Sequence, residues 1–213
     1  MTKAKPTKDR ILDAAELLFE QHGFEATSTR LIATAAEANS AAPNFHFSTK
    51  ENLIKEVFRR RMEPLVAERM RLLQQVLDSA SEPDIGAIYD SFVSPLLELR
   101  RSQGENKQAF LSLLARNTLA PRKEFVELLE TDLADYVSAY VRALSKALPH
   151  LTIATVRMRF DLTMATIARA FNHPKGNAER IAREYILAGL VADESTKESA
   201  DESTKRNQRG IQK

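Results

Sequence analysis

Apolar residues recur three and four apart along most of this chain, the period of helices with one buried face. Ile11, Ala14, Ala15, Leu18 and Phe19 mark the first such stripe, over residues 7–22, and Gly23 stands where a helix would stop. Ile32, Ala33, Ala35 and Ala36 form a second, much shorter one. From residue 49 a long stripe carries Leu53, Ile54, Val57 and Phe58, and continues past Pro64 through Leu65, Val66, Leu72, Leu73, Val76 and Leu77. Pro64 is expected to kink or restart that helix. After a loop at 80–86 come a helix with Ile85, Ile88, Tyr89, Phe92, Leu96 and Leu97, bent near Pro95, and one with Phe110, Leu111, Leu114 and Leu119. A single long helix is expected over 121–148, then one over 152–171 and a last amphipathic one over 178–191. No stretch alternates as a strand would. The expected fold class is all-α, with about nine helices.

The densest local signal is TSTRLIATAAEANSAAPNFHFSTKE, residues 27–51. Thr27 or Ser28 is placed to cap one short helix and Asn39 to cap another. Ser48 and Glu51 have the S-x-x-E spacing of a capping box opening the long helix that follows. The second short helix presents only Ser40, Ala41, Ala42 and Asn44 before Phe45 and Phe47, and such small side chains let a backbone press close to a large partner. Two small helices at a sharp angle make a helix-turn-helix, here about 28–47, whose second helix enters the DNA major groove.

Composition narrows the alternatives. There is no cysteine, which removes disulfides, thiolate nucleophiles and cysteine-held metals, and suits a cytoplasmic protein. No apolar run reaches the roughly 18 residues of a membrane span, and the start of the chain has no signal-peptide core. His22, His46, His150 and His173 lack metal-ligand spacing, and neither a phosphate-binding glycine loop nor a nucleophile elbow is present. No cofactor, metal or catalytic residue is expected. Lys3, Lys5, Lys8 and Arg10 make a basic arm ahead of the helix-turn-helix, suited either to DNA phosphates or to plain solvation.

The order and spacing of RILDAAELLFEQHGF, then Thr27–Ser28, Ile32–Ala33, Ala35–Ala36 and NFHFSTKENLI resemble the DNA-binding domain of the TetR family of transcriptional regulators. That family usually has glycine where Glu37 stands and an aliphatic residue at Ala38, and Pro43 would remove an N–H inside the recognition helix. The resemblance implies phosphate contacts from Phe45 and His46 beside the groove. Lys50 sits at a helix start suited to phosphate, and Thr27, Ser28 and Arg30 are placed to hold the opposite phosphates. Base contacts then fall to Asn39, Ser40, Ala41, Ala42 and Asn44. Asparagine pairs with adenine and alanine methyls suit thymine, whereas this helix has no arginine or lysine for guanine.

In the C-terminal half, LSLLARNTLAPRKEF and RMRFDLTMATIARAF resemble more loosely the effector domains of TetR-like regulators of fatty-acid metabolism. Phe92, Leu96, Phe110, Leu114, Tyr136, Tyr140, Phe160 and Met164 are candidates for a ligand pocket, hydrophobic or acyl in preference, with ordinary core packing as the other reading. Phe160, Ile167, Ala182, Tyr185, Ile186, Gly189 and Leu190 are the candidates for a homodimer interface built from the last two helices. The expected organisation is a DNA-binding domain at 1–62, an effector-binding and dimerisation domain at 63–191, and a disordered charged tail at 192–213. The function expected is a repressor of a palindromic double-stranded operator, released by a small molecule. A DNA-binding protein with no ligand and an all-α enzyme with a dispersed site remain the alternatives.

Overall fold

The computed structural model describes residues 5–79, 83–102, 104–171 and 177–192. The described residues form ten helices and no strand: α1 (Thr7–Ala26), α2 (Thr29–Ala35), α3 (Ala42–Phe47), α4 (Lys50–Ser79), α5 (Ile85–Arg101), α6 (Glu105–Leu119), α7 (Lys123–Glu130), α8 (Ala134–Ala147), α9 (Ile153–Phe171) and α10 (Ala178–Val191). The repeat expected to be a disordered tail lies, but for Ala192, outside the described residues.

The first three helices and the start of α4 close a small core. Ile11, Leu12, Ala15 and Phe19 of α1 bury against Ile32 of α2, Phe47 of α3 and Leu53, Ile54, Val57 and Phe58 of α4. Each large side chain buried in this way contributes roughly 1.5–3 kcal/mol. Gly23 breaks the helical run of α1 with φ 80°, ψ 168°, close to the expected stop. Ser28, not Thr27, caps α2, its Oγ accepting from the Leu31 N–H at 3.1 Å.

The turn between α2 and α3 explains the departure at Glu37. The Ala38 N–H returns to the Ala33 carbonyl at 2.9 Å and the Glu37 N–H to the Thr34 carbonyl at 3.1 Å. This is a Schellman ending, and its pivot residue must be left-handed. Glu37 has φ 49°, a conformation that suits glycine far better than glutamate. The Arg10 guanidinium holds the Glu37 carbonyl at 3.2 Å.

Two expectations about the next turn are corrected. Pro43 does not forfeit a hydrogen bond, because α3 begins at Ala42 and the proline occupies its first turn, where an N–H would be unpaired in any case. Ser48 does not cap α4. It is the pivot of a tight turn at φ 64°, ψ −52°, with the Thr49 N–H on the Phe47 carbonyl at 2.7 Å. Thr49 takes over the cap, its Oγ1 accepting from the Asn52 N–H at 3.1 Å. A two-residue link, Ser48 and Thr49, thus joins the recognition helix to α4.

α4 then runs 30 residues through Pro64 without interruption, about 45 Å at 1.5 Å per residue. The long helix expected over 121–148 is two. α7 ends at Glu130 and α8 starts at Ala134, and at the break between them Asp132 accepts from Arg59 of α4 at 2.6 Å and 3.0 Å. α9 and α10 pack side by side, and α6 lies between α1 and α9.

Candidate functional site

The face that a duplex would meet consists of residues 39–46. Asn39, Ser40, Ala41, Asn44, Phe45 and His46 are exposed, Ala42 is half-buried, and Pro43 and Phe47 turn inward. Phe45 is 84 % exposed, its ring edge-on to His46 with centroids 5.2 Å apart. An aromatic left that bare by the fold has no packing role to explain it. Asn39 is partly committed, its Oδ1 accepting from the Ala41 N–H at 2.9 Å. Bidentate pairing with adenine would compete with that turn, which leaves Asn44 as the freer asparagine.

Around this face, Arg30 is exposed and makes no ion pair among the described residues. Ser28 is exposed at its cap, and Lys50 is half-buried with its Nζ donating to the Glu25 carbonyl at 3.4 Å. Thr27 is removed from the set. It is fully buried, with its hydroxyl on the Gly23 carbonyl at 2.7 Å and near the Leu18 carbonyl at 3.1 Å, so it fastens α1 to α2. The described part of the basic arm is also engaged: Lys5 pairs with Asp13, and Lys8 with Glu56 at 3.0 Å.

Behind the head, α4 passes into the wall of a partly open cavity of about 370 Å³, within the ~300–1,000 Å³ usual for ligand sites. Of the expected pocket residues, Phe92, Leu96, Leu114, Tyr136 and Met164 line it, together with Phe125 and Leu129. Phe110, Tyr140 and Phe160 do not. They are packed into the core around it, Tyr140 and Phe160 stacked at 6.0 Å.

Two polar groups of that wall, Arg69 and Asn117, were not singled out from the sequence. Arg69 of α4 is only 3 % exposed. Its Nε donates to the Phe92 carbonyl at 2.7 Å and its Nη1 to the Tyr136 hydroxyl at 2.8 Å, with the guanidinium 3.9 Å above the Phe92 ring. Tyr140 in turn donates to the Arg69 carbonyl at 3.1 Å. Burial pushes the Tyr136 and Tyr140 phenols above their ordinary range, so both remain protonated. Asn117 points its Nδ2 at the Leu113 carbonyl and leaves a buried Oδ1 with no partner. One signal in the sequence marks Arg69: it falls in register with Phe58, Met62, Leu65 and Leu73, on the buried side of α4.

The model describing the DNA-binding domain of bacterial regulatory proteins of the TetR family matches residues 11–57, and the model of a tetracycline-repressor-like C-terminal domain matches residues 90–185. This chain belongs to the TetR family. It is a helix-turn-helix transcriptional regulator that binds DNA. Among relatives, it is 25 % identical over 195 residues to the regulator UidR of Escherichia coli, covering 90 % of this chain and 92 % of UidR. It is 37 % identical over 75 residues to the probable regulator YttP of Bacillus subtilis, a match covering 35 % of this chain and 32 % of YttP. Its fold resembles SmeT, the repressor of the Stenotrophomonas maltophilia multidrug efflux pump SmeDEF, with a TM-score of 0.62 at 22 % identity over 89 % of this chain and 93 % of that one. A structure of SmeT with triclosan gives a TM-score of 0.65.

The residues expected at a TetR-type dimer interface need correction. Phe160, Ile167, Ala182, Ile186 and Leu190 are buried within the protomer, where they form the seam of α9 against α10 and the core. Only Tyr185, 70 % exposed, and Gly189 face outward. The outer faces of the same helices expose Met158, Leu162 and Ile181 instead. The helical period was sound, but both faces carry apolar residues, so pattern alone did not say which pointed in. Three arginines of α6 and α9 are occupied, while Arg169 is exposed: Arg157 pairs with Asp161 at 3.2 Å, Arg159 holds the Leu190 carbonyl at 2.7 Å, and Arg116 holds the Glu20 carbonyl at 3.0 Å.

Proposed function

We propose that this protein represses transcription as a cytoplasmic homodimer on a palindromic operator and is released when a small molecule fills its cavity, acting by binding and not by chemistry. The observation that carries this is α4. Its start, with Leu53, Ile54, Val57 and Phe58, belongs to the head core, and further along it supplies Met62 and Arg69 to the cavity wall. A molecule that moved that wall would move the head. It shifts the equilibrium only if it binds the released arrangement more tightly than the DNA-bound one. The likeness to SmeT, which forms a complex with triclosan, supports a small-molecule effector.

In this reading residues 1–62 bind DNA and residues 63–191 take the effector and the partner copy. Ser28, Arg30, His46 and Lys50 engage phosphates with Phe45 beside them, and Ser40, Ala41, Ala42 and Asn44 face the bases, with Asn39 at the edge. The exposed Met158, Leu162, Ile181 and Tyr185 bury against the same faces of a second copy, which sets two heads on half-sites roughly 34–36 Å apart. Among the described residues no helix is long and apolar enough to cross a membrane.

The test selects bound fragments from random duplex DNA. A palindrome with half-sites rich in adenine and thymine is expected, and Phe45→Ala should lose about tenfold in affinity with an unchanged melting temperature. Sequence-blind, steeply salt-dependent binding would refute specific repression. A palindrome that no small molecule releases would refute the effector.

A further inference from the structure

Arg69 and Tyr136 give the cavity wall spare hydrogen-bond donors, and one of them is a permanent charge. Arg69 uses Nε and Nη1 on the Phe92 carbonyl and the Tyr136 hydroxyl, and its Nη2 donates to nothing among the described residues. No carboxylate pairs with it there. The other charged groups of the wall do not serve: Arg157 and Asp161 pair with each other, and Glu130 is exposed to solvent. Tyr136 accepts from Arg69 and has its own O–H still to give. A guanidinium buried to this extent normally has an anion beside it. The Phe92 ring face below it offers only a partial substitute.

We propose that the cavity takes an amphipathic monocarboxylate, its carboxylate bridging Arg69 Nη2 and the Tyr136 hydroxyl and its apolar body lying along Leu96, Leu114, Phe125 and Met164. This rests on the cavity being the effector site. A carboxylate accepts from Arg69 Nη2 and from the phenol as a full anion, whereas an alcohol accepts without the charge and an ammonium cannot accept at all. Asn117 Oδ1, buried and unpaired in the same wall, is a second polar anchor suited to a donor on the ligand body. Since Arg69 lies on α4, the ligand's charge would be neutralised on the helix that joins cavity to head.

The full-length protein is titrated calorimetrically with three series of matched chain length: straight-chain carboxylates from octanoate to dodecanoate, the corresponding primary alcohols, and alkyl trimethylammonium salts. The carboxylate of the best length should bind at least about tenfold more tightly than its alcohol, the step expected of one added charge-assisted pair. Arg69→Met should bring that ratio close to one, and Tyr136→Phe should reduce it several-fold, with alcohol binding retained in both. Should Arg69→Met fail to fold, the wild-type ratio and Tyr136→Phe decide alone. Equal binding of carboxylate and alcohol, a preference for the cation, a preference that survives loss of Arg69, or no binding by any series would each overturn the proposal. Release of operator DNA is scored separately. Carboxylate binding without release would refute the effector reading and leave this one standing, whereas release by neutral or cationic compounds only would do the reverse.

Discussion

Glu16 offers the sharpest energetic test of how the head is built. Its side chain has no exposed surface and it sits on α1 facing two arginines of α4. Arg60 Nη2 reaches Oε2 at 2.7 Å, and the Arg61 fork reaches Oε1 at 3.1 Å and Oε2 at 3.0 Å. Asp13 accepts from Arg60 as well, at 2.9 Å, so the four charges cancel. Glu16→Gln keeps the shape, removes one negative charge and turns an N–H toward an arginine. Each ion pair at about 4 Å is worth roughly 4 kcal/mol gross at an effective dielectric of ~20, most of it offset by desolvation. Removing one partner of a buried pair costs about 3–5 kcal/mol. The two arginine side chains are 21 % and 24 % exposed, which lets water compensate in part and places the estimate at about 3 kcal/mol. For a chain of this size that lowers the melting temperature by about 6–12 °C. Circular dichroism melts of wild type, Glu16→Gln, Arg61→Met and the double variant close the cycle, with a coupling of about 1.5–3 kcal/mol expected. A Glu16→Gln melt within 1 °C of wild type, or a coupling near zero, would show that α1 is held on α4 by apolar packing alone.

Three further outcomes follow from particular groups. Glu37→Gly should stabilise the protein by about 1 kcal/mol, since it relieves the left-handed strain at the Schellman pivot; a lower denaturant midpoint would mean that the glutamate side chain has a role the turn geometry does not reveal. Asn117→Leu should also stabilise, by about 1 kcal/mol, because it removes a buried acceptor with no partner, and a fall in the unfolding midpoint would place an unseen donor against Oδ1. At alkaline pH, Tyr89 is pushed up to about 12, first by burial and then by the charge of Asp90, against about 10 in an unfolded chain. The unfolded chain releases that proton first, so stability is full below about pH 10 and declines as pH rises toward 12. Tyr89→Phe should flatten the curve of denaturant midpoint against pH over that interval, and an unchanged curve would assign the loss elsewhere.

The architecture was legible in the chain because helices with one apolar face announce themselves locally. The stripes of α1, α4 and α10 needed no partner to be seen, and the spacing of Thr27–Ser28, Ile32–Ala33 and NFHFSTKENLI was enough for the family. The outward role of Phe45 was legible from that resemblance, and the fold leaves it exposed beside the buried Phe47. The glycine usually found at position 37 was a local signal as well, for it is the chirality of one residue at a helix end that demands it.

What the sequence could not decide were the questions of which group meets which across the fold. Thr27 looked as good a cap as Ser28 until α1 placed two carbonyls above its hydroxyl. The 121–148 stripe is continuous in pattern, and the pattern does not show that it breaks where Asp132 meets Arg59 of α4, 73 residues away in the chain. Arg69 is one arginine among many on α4, and its burial depends on Phe92 and Tyr136 arriving from two other helices. Local periodicity and capping act within a turn or two of the chain, so the sequence by itself determined the all-α class, most of the helices in their order and the DNA-binding head. Burial, ion pairing and the polarity of a cavity depend on contacts between distant segments, and only the tertiary structure decided those.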